Sequence, residues 1–162
     1  MHSNLEQIAD HWNNGQALQA GRLIFENIPS VARPRWAARV LRLYLRYTGV
    51  DPSKFSNVLQ TAENPDLWKN GHDVFDELRR AVLSLQELQK SVGLTRDQVV
   101  FAGALNLSEL VAKVTYNASN PIDEFDEDSG WWIAAFLRSY VDLNPENRNL
   151  WREAWSVLVD EL

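Results

Sequence analysis

Arg35, Arg39, Arg42 and Arg46 recur at intervals of three and four residues in the stretch RPRWAARVLRLYLRY, residues 33–47. At about 100° per residue they fall within an arc of about 60° on a helix, so four guanidinium groups share one edge, with Trp36 beside its start. Guanidinium presents a planar fork that matches carboxylate or phosphate and also stacks on aromatic rings. The chemistry on offer is anion recognition: an acidic partner protein, a second copy of the chain, or a phosphate held in an Arg-lined aromatic cleft. Between Asn27 and Val50 there are five arginines and no acid, so this stretch carries +5 within a chain of net charge −6, and the remainder carries −11.

The complementary feature is DEFDED, where Asp123, Glu124, Asp126, Glu127 and Asp128 precede Gly130-Trp131-Trp132. This run is a candidate acidic binding surface for a partner. It also suits two plainer roles, pairing with the arginines inside the chain and favouring the N-terminal dipole of the helix that follows. The sequence expectation for the arginine edge is that at least two of the four bond carboxylates of this chain or of a second copy, because such forks in an acidic protein meet acids first.

Groupings able to do catalysis are few. His2, His11 and His72 stand apart, with no H-x-x-x-H or H-E-x-x-H spacing and no cysteine to share a metal, so neither a resident metal nor a cofactor is expected. His72 with Asp73, Asp76 and Glu77 does set imidazole and carboxylates on one helical turn, which keeps open an enzyme whose carboxylates meet only in the fold. The run Asp126–Gly130 is a poor calcium loop, since its glycine arrives one residue early and Leu137 stands where the closing glutamate belongs. No glycine-rich phosphate loop and no G-x-S-x-G elbow is present.

The elements that would position these residues all read as helices. Ser3 with Glu6 and Thr95 with Gln98 form capping boxes. Asp51-Pro52, Asn64-Pro65 and Asn144-Pro145 set a capping side chain before a proline suited to a first helical turn. Asn14-Gly15, Thr48-Gly49 and Gly93 mark ends. These signals predict helices near 4–13, 16–28, 31–47, 52–62, 72–92, 96–117, 130–142 and 145–161. Where the third begins is open, because Ser30 is a good cap but Pro34 would then interrupt the second turn. The fold class expected is all-α, a bundle or short array of seven to eight antiparallel helices in one domain over residues 1–162.

Gly15 and Gly49 lie 34 residues apart with Ala20 five positions after the first, a spacing that resembles the tetratricopeptide repeat over residues 1–66. Position 54 is Lys where the second small residue would stand, and the next period falls on Leu83 inside a periodic helix. A packed array of helical hairpins is therefore preferred. Within it, Val99–Ser108, VVFAGALNLS, has no charge and no polar face. It is expected to be the central, most buried helix, with Asn106 as a buried amide and Gly103 marking a close crossing.

A length of 162 residues fits one domain, and the composition is that of an ordinary globular chain. The absence of cysteine excludes disulfides and fits a reducing compartment, so a cytoplasmic location is expected. The opening residues lack a targeting pattern, and the longest apolar runs reach seven residues, against about 20 for a membrane span, so no membrane association is expected. Net acidity argues against nucleic acid. The functional expectation is a non-enzymatic domain that binds a protein partner or itself, with a small-molecule or anion-binding regulator as the alternative and an enzyme without a recognisable motif as the second.

Overall fold

The computed structural model describes residues 4–119 and 129–161. These fold into eight α-helices with no strand among the described residues: α1 (Asn4–Asn13), α2 (Ala17–Asn27), α3 (Arg33–Thr48), α4 (Ser56–Glu63), α5 (Gly71–Val92), α6 (Arg96–Ser119), α7 (Ser129–Leu143) and α8 (Asn149–Glu161). The all-α class is as the sequence reads. The Ser3 capping box lies outside the described residues. That of Thr95 forms, its N–H donating to Gln98 Oε1 at 2.8 Å and its hydroxyl accepting from the Gln98 N–H at 3.2 Å.

The three proline starts yield short 3₁₀ turns, Pro52–Phe55, Pro65–Asn70 and Pro145–Asn147, which lead into α4, α5 and α8. Asp51 and Asn64 cap theirs by accepting from Ser53 N–H at 3.0 Å and Asp66 N–H at 3.1 Å. Asn144 does not cap. Its amide turns back and donates to the Tyr140 carbonyl at the end of α7, which also accepts the Asn144 backbone N–H. Ser30 opens a separate 3₁₀ turn, Ser30–Ala32, so Pro34 falls in the first turn of α3, where a missing N–H costs nothing. Gly15 and Gly49 end α1 and α3 at φ of 72° and 75°, a conformation that side chains disfavour.

The most heavily buried helix is α3 rather than α6, although α6 keeps the central place expected of it, packing against α3, α4, α5 and α7. Trp36, Ala37, Ala38, Val40 and Leu41 are wholly inaccessible, and α3 packs against α4, α6 and α8 at once. By contrast α6 is buried from Ala104 onward while Val99 is 56% exposed, and Asn106 faces solvent rather than the core. A 24-residue helix is about 36 Å long, and its first turns run past the helices that cover the rest. By length and composition alone α6 could cross a membrane, although half of its apolar window is buried inside the fold. A core helix passes the same test.

Consecutive helices pack on one another, α1 on α2, α3 on α4, α5 on α6 and α6 on α7, and long-range pairings cross between them. The most extensive partner of α2 is α7, and α8 returns to α3. Trp12 of α1 stacks on Trp151 of α8 at 3.8 Å, and each indole N–H donates to the other residue's carbonyl, at 3.0 and 2.9 Å. A repeat array packs each unit only on its neighbours, so the α2–α7 and α3–α8 pairings depart from a tetratricopeptide stack, while the consecutive pairs keep the packed helical hairpins expected.

Candidate functional site

The four arginines do share one edge of α3, and every one is paired within the chain. Arg35 grips Glu161 with its Nε and Nη2, the shortest contact 2.6 Å. Arg39 donates to Asp160 at 3.0 Å and to Glu161 at 3.4 Å. Arg42 forks onto Glu63 at 2.6 and 2.8 Å, and Arg46 donates to Glu153. Helix α8 thus lays Glu153, Asp160 and Glu161 along the guanidinium groups of Arg35, Arg39 and Arg46, and α4 supplies Glu63 for Arg42. The hydrogen bonds from Arg35 hold the Glu161 carboxyl below its ordinary range, and Glu161 raises the Arg35 guanidinium in return. Trp36 is wholly buried, edge-on to Phe25, and so offers a partner nothing. The candidate acids Asp123, Glu124, Asp126, Glu127 and Asp128 lie outside the described residues.

The histidine cluster assembles only loosely. His72, Asp73 and Asp76 bring one ligand atom each within 4.8 Å of one another, with His72 Nδ1 3.3 Å from Asp76. Glu77 instead accepts from Asn57 at 3.2 Å. Asp73 and Asp76 are exposed on the outer side of α5, an open surface without walls to exclude water.

Concavity is found elsewhere, where α6 begins and α7 ends. The two helices run antiparallel, so Arg96, Val99 and Gly103 come beside Leu143, Tyr140 and Phe136 around a groove of about 310 Å³. Its walls are apolar and aromatic apart from Ser139, Asn144 and one charge, Arg96. Beyond the shared wall of Arg96, Val100, Tyr140 and Asn144 lies an open polar basin of about 560 Å³. Lys54 there sits over the Phe101 ring at 5.6 Å, and Asp51, Asp97 and Glu146 line the same basin. Among the described residues neither Arg96 nor Lys54 forms an ion pair. Tyr44 reaches the groove floor from α3, donating to the Val100 carbonyl at 3.3 Å, and burial pushes its hydroxyl pKa upward.

The groove belongs to a longer face. Along α7, Trp132, Phe136, Ser139 and Leu143 lie within an arc of about 60°, and along α6 Val99, Gly103, Asn106 and Leu110 do likewise. Trp132 is 51% exposed, Leu143 82% and Val99 56%. Large apolar side chains are also exposed at Leu5, Leu18, Val31, Leu83, Val92 and Val159, but these are spread over α1, α2, the Ser30–Ala32 turn, α5 and α8, and Leu83 and Val92 point to opposite sides of α5. The sequence reading missed this face, although its signal was present: a charge-free helical window with no polar side describes a helix awaiting a partner as well as a buried one.

No protein-family model matches the chain, and no curated protein or solved structure is similar to it.

Proposed function

We propose that this protein is a non-enzymatic interaction module whose docking surface is the α6–α7 face. The observation that carries the reading is the stripe of exposed Trp132, Leu143 and Val99 with half-buried Phe136 between them, around an apolar groove. Contiguous exposed apolar surface is rare on proteins that act alone and marks places where another surface packs, and tryptophan is among the residues most enriched at interaction hot spots. The arginine edge, the obvious candidate from sequence, serves instead to fix α8 and the end of α4 onto α3. Its guanidinium groups already hold carboxylates, and a partner would have to displace them. The alternative of an anion held by these four arginines loses its support for the same reason.

A photocrosslinking residue placed at Val99 or at Leu143, in cells that natively carry the protein, tests the reading. The expected result is the same crosslinked protein from both positions, absent when the crosslinker is moved to Leu83 and lost in the Trp132→Ser variant. Equal crosslinking from all three positions, or none from the face, overturns it.

A further inference from the structure

Resting on that reading, the shape and charge of the face specify what docks there. From Trp132 to Leu143 the stripe spans about 16 Å, three helical turns at 1.5 Å per residue. Two antiparallel helices side by side leave a furrow, and Gly103 keeps its floor low where the furrow deepens. The occupant must cover more than the groove, because Trp132 lies outside the groove lining yet belongs to the exposed stripe. A compound sized to about 310 Å³ would leave that indole in water. At the opposite end Arg96 is the sole charged side chain lining the groove, and it pairs with no carboxylate among the described residues. Docking strips water from that guanidinium, which costs free energy unless the incoming surface presents an acid.

We infer that the occupant is an amphipathic helix of a partner protein, about three turns long, laying apolar side chains along the α6–α7 furrow and placing an Asp or Glu against Arg96. Helix-in-groove recognition reads apolar anchors at i, i+4 and i+7 of the incoming helix. Here the anchors fall against Trp132, Phe136 and the Val99–Leu143 pair. The exposed amide of Asn106 and hydroxyl of Ser139 offer hydrogen bonds along the furrow that tolerate either orientation of a polar neighbour.

The test pans a displayed library of random 16-residue peptides on the full chain. Enriched peptides are expected to carry apolar residues at helical spacing with an acid one turn beyond one end. Their affinity is expected to fall at least tenfold on Leu143→Asp and on Trp132→Ser. Arg96→Glu should weaken binding at least fivefold and be rescued when the peptide's acid is changed to Lys. Circular dichroism and melting check that each variant folds, and Val99→Ser serves if Leu143→Asp does not. Enriched peptides without an acid, or indifferent to Arg96→Glu, overturn the inference while leaving the docking face standing. So does binding unaffected by Trp132→Ser, the signature of a small ligand confined to the groove, or a dimer of the chain itself that Leu143→Asp dissociates. Peptides whose binding ignores every substitution on the face overturn both proposals.

Discussion

Two glutamates show how the same side chain is turned to opposite ends by its surroundings. Glu161 receives two guanidinium groups and is held below its ordinary value of 4.5. Glu109 of α6 is 7% exposed, with Oε1 lacking a hydrogen bond and Arg79 at 3.5 Å from Oε2, and desolvation raises it above the same value despite Arg79 and Lys113. The linkage signs are opposite. The Glu161 contribution is fully present above pH 4.5 and is lost as pH falls through its lower folded value, so Glu161→Gln should destabilise by about 1 kcal/mol at pH 7, consistent with largely exposed arginines. That difference should disappear in acid. Glu109 binds its proton more tightly when folded, so its ionised form costs stability at neutral pH. Glu109→Gln should raise the melting temperature at pH 7 by about 2–4 °C, equivalent to roughly 1 kcal/mol at this size, and the gain should vanish below pH 4.5. Melting curves of both variants against pH measure these trends. At this scale the arginine edge was legible because helical periodicity alone places it. Its partners were not, since Glu161, Asp160 and Glu153 lie 126, 121 and 107 residues away from theirs, a separation about which local pattern carries no information.

The element whose role differs most from its sequence pattern is α6. Absence of charge from Val99 to Ser108 says that water is unwelcome there, and it leaves open whether this fold or another molecule excludes it. Gly103, read as the mark of a close crossing, does admit a close approach, but by a side chain: an added Cβ would stand 2.4 Å from the Tyr44 hydroxyl. Gly103→Ala should therefore destabilise by about 1–3 kcal/mol through overpacking, outweighing the roughly 1 kcal/mol that alanine adds to helix propensity. Tyr44→Phe removes the clashing oxygen, so the double variant should be more stable than Gly103→Ala alone. A double-mutant cycle by denaturant titration reads this coupling, and additive effects would show that the two side chains do not compete for the site. Leu105→Asp, at a buried position of the same helix, should cost several kcal/mol for its unpaired charge, while Val99→Asp on the open face should leave the melting temperature nearly unchanged.

For the molecule as a whole, helix type and boundaries were legible to within a few residues because caps, prolines and glycines punctuate each one locally. The order of packing was not legible, because α2 on α7 and α8 on α3 are decided by which apolar stripes fit across the chain. The reciprocal tryptophan pair carries this furthest, joining Trp12 to Trp151 across 139 residues. Closing so long a loop is entropically expensive before the intervening helices have gathered, and contacts of this span form late along a folding path. The pair should thus act as a latch on the finished bundle with little share in its nucleus. Trp12→Phe removes one indole donor, leaves the Trp151 carbonyl with its intrahelical bond alone and trims the ring stacked on Trp151, a loss of about 1–2 kcal/mol. Stopped-flow kinetics should show unfolding about tenfold faster, as 1.4 kcal/mol implies, with the refolding rate almost untouched. The bundle's lifetime, more than its speed of formation, is what the two indoles set.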